Sequence, residues 1–259
     1  YEPIRAQVTL APVSLSQGSY DRPRPVRSCA LALLCYNRAM SQTVAFFDLD
    51  NTILIGTSGL MYLRYLLQTP DASFSTKLNA TLQAARYRFA MIDYTAVAVK
   101  LVDSVSNSSE EVAREVYQDF YDEVLANKIS PLARQRIAEH QAQGHLVAVI
   151  SAATQYVVEP VARAVGVADV LCTRLEVKNG LFTGQVIEPP CFGPGKVYYA
   201  RQFLQQHGVT LADAYFYTDS DVDLPLLELV GHPVAVNPDR RLTQVARQRG
   251  WPIEFFAQS

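Results

Sequence analysis

Two aspartates one residue apart, Asp48 and Asp50, close a hydrophobic run in the stretch Val44-Ala45-Phe46-Phe47-Asp48-Leu49-Asp50-Asn51-Thr52. An unpaired carboxylate is costly in an apolar interior. The pair is therefore expected where a buried strand opens into a loop, with both acids facing one cleft. There Asp48 is placed to attack phosphorus as a nucleophile. Asp50 could protonate a leaving alkoxide and later take the proton of an attacking water. Read alone, Asp50-Asn51-Thr52 is equally a polar turn.

Three further stations follow in the chain. Ser151 comes directly after Leu146-Val147-Ala148-Val149-Ile150 and precedes Ala152-Ala153-Thr154 and a helical pattern. A hydroxyl and free amides at a helix N-terminus suit phosphoryl oxygens, although a serine there also serves as an ordinary N-cap. Lys196 ends Cys191-Phe192-Gly193-Pro194-Gly195-Lys196. This is no Walker A loop, because the earlier glycine and the hydroxyl residue after the lysine are missing. Its ammonium would offset charge on the nucleophile and the transferring phosphoryl group, or else be solvated.

The last station is Asp219-Ser220-Asp221-Val222-Asp223, after Ala214–Thr218. Hard oxygen ligands near Asp48 suit Mg²⁺, with Asp219 as direct ligand and Asp223 orienting metal-bound water. Asp221 is either a further site acid or a solvated one. A calcium loop or a capping turn is the alternative for this cluster alone. Order and placement make the set specific, since each member sits where a strand should end or a helix begin.

The elements that must carry these residues alternate between strand and helix, which predicts an α/β fold with a doubly wound, mainly parallel Rossmann-like sheet. In such sheets the chemistry lies at the carboxyl ends of the strands. From Ser58 to about Gly144 the pattern is helical almost throughout, too long for an ordinary crossover. An inserted helical cap over 57–140 is therefore expected, with the α/β core in 40–56 and 141–259. In the first cap helix Leu60, Leu63, Leu66 and Leu67 share a face, and Pro70 ends it. Ser108 with Glu111 reads as a capping box, and Ser130-Pro131 as an N-cap followed by proline at the first helical position. Asn179-Gly180 predicts a hairpin between Leu175–Val177 and Leu181–Val186. A helix should start near Lys196, Pro233–Val236 should be a strand, and Leu242–Arg249 the last full helix.

Composition sets the outer limits. The 259 residues are 49% hydrophobic and 19% charged, enough for a large core, and carry a formal net charge of -2. No basic excess points to nucleic acid or an anionic membrane surface. The apolar stretch Cys29–Tyr36 is far below the ~20 residues that span a bilayer. Arg22, Arg24 and Arg27 before it resemble a signal peptide faintly, but no small-residue cleavage site follows. Four scattered cysteines without metal or disulfide spacing fit a reducing cytoplasm. Oligomeric state has no signal in the sequence.

The motifs together resemble the haloacid dehalogenase superfamily, in the phosphoserine-phosphatase-like branch (subfamily IB). Asp48–Thr52 is similar to its first motif, Val149–Ala153 to the second, Gly193–Lys196 to the third and Tyr217–Leu227 to the fourth. The resemblance runs from about Thr43 to Phe256, including Gly231–Leu242 and Gly250-Trp251-Pro252 near the end. It implies Asp48 as nucleophile and Asp50 as acid/base, with Thr52, Ser151, Ala152 and Lys196 as phosphate contacts. It also implies Mg²⁺ held among Asp48, Asp50 (through its carbonyl), Asp219 and Asp223. The substrate would be a small phosphorylated metabolite. Members that use phosphoserine carry a cap-side glutamate just past the first motif. Here Ile53-Leu54-Ile55-Gly56-Thr57-Ser58-Gly59 has no acid, which counts against phosphoserine. Arg86, Tyr87 and Arg88 could face a negatively charged leaving group or form a solvated helix face. Rival functions are a phosphotransferase or mutase on this fold, a phospho-switch module, and a non-catalytic binding protein.

Residues 1–39 differ in kind: four prolines, no lysine, five arginines and two acids give a local charge of +3, which leaves -5 for the rest. With no sustained helical or strand period, they are expected to form a flexible or non-native extension, and Met40, the first methionine, to be the natural start. A protein starting at Met40 should match the longer chain in thermal unfolding and in phosphatase turnover. A large loss of either would show the segment to be structural.

Overall fold

The computed structural model describes residues 42–68 and 107–257. The expectations for residues 1–39, Pro70 and Arg86–Arg88 lie outside them.

Seven strands form one sheet in the order β4-β3-β2-β1-β5-β6-β7. They are β1 (Val44–Phe47), β2 (Leu146–Thr154), β3 (Asp169–Lys178), β4 (Leu181–Ile187), β5 (Ala214–Thr218), β6 (His232–Val236) and β7 (Ile253–Glu254). All neighbours are parallel except β3 and β4. The chain builds outward from β1 on one side, then returns to build outward on the other. β1 therefore lies between β2 and β5, and the strand order reverses at its carboxyl end. That reversal is where open α/β sheets form their crevice.

Side-chain alternation sorts the core into two layers. Ala45 and Phe47 join Val147, Val149, Tyr217 and Val234 on one face. Val44 and Phe46 join Ala148, Ile150, Ala214, Phe216 and Ala235 on the other. Helices cover both faces, which explains why β1 and β2 read as unbroken apolar runs. In chain order the described helices of ten residues or more are α1 (Ser58–Gln68), α2 (Glu110–Phe120), α3 (Pro131–Ala142), α4 (Gln155–Ala164), α5 (Pro194–Gln206) and α6 (Arg240–Arg249). Ala133 and Ile137 of α3 and Val157, Val158, Val161 and Ala162 of α4 close the first layer. Ala200, Phe203 and Leu204 of α5 with Leu242 and Ala246 of α6 close the second.

The inserted segment leaves and re-enters through one joint. Leu54 and Ile129 form an antiparallel bridge. Beside it Ile55 N–H donates to the Lys128 carbonyl at 2.7 Å and Ser130 N–H to the Ile53 carbonyl at 2.9 Å. Helix α3, grouped with the cap over 57–140 on sequence, packs against the sheet. Ser130 caps it, its Oγ accepting from Ala133 N–H, with Pro131 following as expected.

Two local readings need correction. The cap of α2 is Ser109, whose Oγ accepts from Val112 N–H; Ser108 lies one residue outside. Helix α1 packs through Met61, Tyr62 and Tyr65, while Leu67 is exposed. Aromatic area outweighs the leucine stripe there: Tyr62 stacks on Tyr117 at 4.8 Å and meets Phe120 edge-on at 5.1 Å. The Asn179-Gly180 hairpin forms as read, both residues at positive φ. β3 begins six residues earlier than its apolar pattern indicated, running parallel to β2 before it turns antiparallel to β4. Among the described residues no helix is long and apolar enough to cross a membrane, and Cys172 and Cys191 are free buried thiols.

Below the strand ends, His140 is buried against β1 and β5. Its ring nitrogens meet Tyr217 Oη and His145 Nδ1, each at 2.8 Å. Phe47 stacks on Tyr217 at 4.4 Å. Burial, helped by His145 and Arg136, pushes the His140 imidazole down to about 4. Between the unfolded value of about 6.5 and pH 4, the unfolded chain binds a proton that the fold refuses, so stability falls as pH falls through that window. Thermal melts at pH 7 and pH 4.5 should show a smaller acid loss for His140→Gln than for the wild type; equal losses would remove His140 from the acid response.

Candidate active site

Asp48 stands one residue past β1, its N–H donating to the Tyr217 carbonyl at 2.9 Å. Strand pairing thus sets the nucleophile candidate beside β5, whose own end leads into Asp219. Helix α5 brings Lys196 from the opposite layer in its first turn. Lys196 Nζ donates to Asp48 Oδ1 at 2.8 Å and to Asp223 Oδ2 at 2.7 Å. Lys196, Asp48 and Asp223 are only 3%, 7% and 3% exposed, so this ion triad is interior. The solvated-lysine alternative is excluded.

Asp50 points elsewhere on the same loop, its Oδ1 accepting from Ser58 N–H at 2.7 Å. That amide opens α1, so the positive end of a helix faces the acid. Asp219 Oδ2 accepts from Asn51 Nδ2 at 2.8 Å. Asp223 Oδ2 accepts a second bond, from Thr218 Oγ1 at 2.6 Å. Asp221 turns out to be the solvated acid of its cluster: its carboxylate pairs with the exposed Arg241 at 3.0 Å.

The phosphate-contact candidates differ from expectation in detail. β2 does not stop at Ile150; it continues through Thr154 with a register shift after Ser151. Thr154, with no side-chain capping bond, is the N-cap of α4. Ser151 is therefore not an N-cap. It is 2% exposed, and its Oγ accepts from Ala153 N–H at 3.2 Å, with half-buried Ala152 between them. Thr52 is fully buried, and its Oγ1, like that of Thr154, has no hydrogen-bond partner.

Electrostatically, four carboxylates share one ammonium. Burial pushes Asp48 up to about 8; Lys196 pulls it down while Asp223 and Asp219 push it further up. Burial also raises Asp50 against the pull of the Ser58 N–H. It lifts Asp219 to about 6, with the Asn51 bond opposing. Asp223 and Asp48 hold Lys196 protonated against its own desolvation. A pocket of this charge fits a divalent cation, which would let every acid ionise. Among the described residues no three acid, histidine or cysteine side chains make an all-side-chain cage. Mg²⁺ binds through one or two carboxylates with waters and substrate oxygens. Asp48, Asp219 and the Asp50 carbonyl would be the donors to hold it.

Asn51, Ser58, Thr218 and Asn237 also serve this site, and sequence reasoning did not single them out. A readable signal existed for Asn237 alone, as Asn-Pro directly after a strand at the sheet's carboxyl edge. The others act through contacts that leave no pattern.

The sequence model for haloacid dehalogenase-like hydrolases matches residues 45–228. A Neisseria meningitidis protein named histidinol-phosphatase is 34% identical over 221 residues, which cover 83% of this chain and 99% of the relative. A Mycobacterium tuberculosis protein named phosphoserine phosphatase SerB1 is 32% identical over 216 residues, 82% of this chain and 70% of that one. A solved Bordetella pertussis protein of unknown function aligns with TM-score 0.76 at 30% identity, over 83% of this chain and 99% of its own. A phosphoserine phosphatase solved as a phospho-aspartyl intermediate analogue shares the fold, with TM-score 0.62 at 16% identity over 85% and 95% of the two chains.

Gly195 fixes how closely Lys196 can approach. A Cβ there would lie 1.9 Å from the Pro190 carbonyl oxygen, a backbone atom with no room to move. Gly195→Ala should force the first turn of α5 outward and draw Lys196 off both aspartates. The expected result is a stability loss of roughly 2–4 kcal/mol and a turnover loss of about 100-fold or more. Thermal melts and steady-state hydrolysis check it; wild-type behaviour in both would mean that the loop yields freely.

Proposed function

The chain belongs to the haloacid dehalogenase-like hydrolase family, and from that membership we propose a Mg²⁺-dependent phosphomonoester phosphatase that works through an aspartyl-phosphate on Asp48. The observation that carries this reading is the interior triad in which Lys196 bridges Asp48 and Asp223. A buried ammonium steadies a carboxylate that must stay ionised to attack, and it offsets the charge that arrives with a phosphate.

Mg²⁺, held by Asp48, Asp219 and the Asp50 carbonyl, would neutralise phosphoryl oxygens and the surplus acids of the pocket. Asp48 attacks phosphorus in line: an Oδ–P bond forms, and the ester P–O bond breaks with its electron pair on the leaving oxygen. Asp50, which burial keeps protonated more readily than a free carboxyl, donates its proton to that oxygen. The resulting carboxylate then takes a proton from water as water attacks the phosphoryl group. Inorganic phosphate leaves, and Asp48 is restored. The buried hydroxyls of Ser151 and Thr52 and the Ala152 amide supply the phosphate contacts, Thr52 Oγ1 being free to donate.

As substrate we propose histidinol phosphate. The relative named for that activity is matched over almost its entire length, and the segment Ile53–Gly59 lacks the acid that would hold the amino group of phosphoserine. A phosphomonoester panel with Mg²⁺ tests both parts. Asp48→Asn should cut turnover by on the order of 10⁴-fold while its melting curve stays that of the wild type; retained turnover would refute the nucleophile. Histidinol phosphate should exceed phosphoserine in kcat/KM by about tenfold or more. The reverse order overturns the substrate and leaves the chemistry standing. Phosphate transfer to an added alcohol in place of water would mark the phosphotransferase.

A further inference from the structure

Two asparagines link the C-terminal segment to Asp219. Asn237 follows β6 with φ 44. Its Nδ2 donates to the Asn51 carbonyl at 2.5 Å. Its Oδ1 accepts from the N–H groups of Phe256 and Ala257 at 2.9 and 3.1 Å, and its own N–H donates to the Glu254 carbonyl at 2.9 Å. The segment it grips is anchored in turn. Phe256 is 3% exposed, and its carbonyl accepts from Ser130 Oγ at 2.7 Å.

Asn51 receives that grip with φ 52, a left-handed conformation that few residues other than glycine and asparagine adopt. Its N–H donates to the Gly56 carbonyl at 3.0 Å and its Nδ2 to Asp219 Oδ2 at 2.8 Å. The loop after Asn237 holds Asp219 a second time, through Asp239 N–H to the Asp219 carbonyl at 3.0 Å. An amide side chain is useful here because it both donates and accepts. Asn237 accepts from the C-terminal backbone while donating to the nucleophile loop, so one planar group sets the spacing between them.

We propose that Asn237 is a positioning residue for the Mg²⁺ site. It clamps the Asn51 carbonyl, which keeps Asn51 left-handed and its amide aimed at Asp219 Oδ2, leaving Asp219 Oδ1 for the metal. This inference rests on the reading of Asp219 as a Mg²⁺ ligand. Groups that orient a ligand from behind govern metal affinity by about 10- to 100-fold.

Asn237→Asp is the informative change. It preserves shape, tolerance of positive φ and the acceptor for Phe256 and Ala257, but it sets a carboxylate oxygen against the Asn51 carbonyl. Calorimetric titration of the variant with MgCl₂ should show affinity lowered about tenfold or more. The Mg²⁺ activation constant should move in parallel, with turnover at saturating Mg²⁺ within about threefold of wild type. If this variant does not fold, Asn237→Gly suits φ 44 without the amide and serves the same comparison. A relay also requires that Asn51→Ala with Asn237→Asp lose no more affinity than Asn51→Ala alone, because both act on one bond. Mg²⁺ affinity within twofold of wild type in the Asn237 variant, or losses that add in the double variant, would overturn the inference. A wild-type protein that neither binds nor needs Mg²⁺ would refute the reading of Asp219 and the inference with it.

Discussion

The structure depends on one buried ammonium placed between two buried carboxylates. Lys196 at 2.8 Å from Asp48 and 2.7 Å from Asp223 joins the end of β1, the acid loop after β5 and the start of α5. Charges this far from water survive only when paired and hydrogen-bonded. Removing the lysine would leave acids that cannot all stay ionised; removing an acid would leave an interior cation with half its partners. The triad is thus a constraint on three separate segments at once. Thr218 Oγ1 completes it by filling the remaining bonding need of Asp223 Oδ2.

Sheet topology explains how the triad can form. β1 pairs with both β2 and β5 in parallel, with Phe47 opposite Val149 on one side and Tyr217 on the other. One residue further along, β1 leaves the sheet while β5 makes its last pair and β2 continues beside β3. Asp48, Ile150 and Thr218 therefore end up level, followed by Ser151 and Asp219. The polar residues reach the same crevice because the three strands are in register, although β2 runs on to Thr154 beside β3. α5 has to approach from the second layer, and Gly193 and Gly195 are what its entry needs: a positive φ at the first and a bare Cα at the second.

This geometry also accounts for what could be read from the sequence. Strands buried on both faces leave unbroken apolar runs, so β1, β5 and the first part of β2 are plain in VAFF, AYFYT and LVAVI, and the acid after β1 and after β5 marks its end. β3 is half hidden because Asp169 and Thr173 interrupt its pattern where it runs parallel to β2, and Arg174 where it turns antiparallel to β4. The stop after Ile150 was misplaced because Ser151–Thr154 carries polar and small residues while keeping extended backbone. Cap assignments failed differently. The leucines of α1 have the right spacing for a core stripe, but the tyrosines one position away have more surface to bury against Tyr117 and Phe120. Asn51, Thr218 and Asn237 escaped because their work lies in single bonds between residues up to 186 positions apart, and no local period encodes such a bond.

Chemistry and recognition are less separate than the insertion suggests. The chain leaves the sheet at Leu54 and returns at Ile129 through one narrow joint. The first helix of the inserted segment begins with the amide that binds Asp50 Oδ1 at 2.7 Å. A neighbouring N–H stabilises the carboxylate form of Asp50, while burial favours the protonated form, and the acid/base role proposed for it needs both within one cycle. Any displacement of α1 that lengthens this bond shifts the balance toward the proton-holding state. Any displacement that shortens it shifts the balance the other way. A single backbone amide of the inserted segment thus bears on the protonation of Asp50.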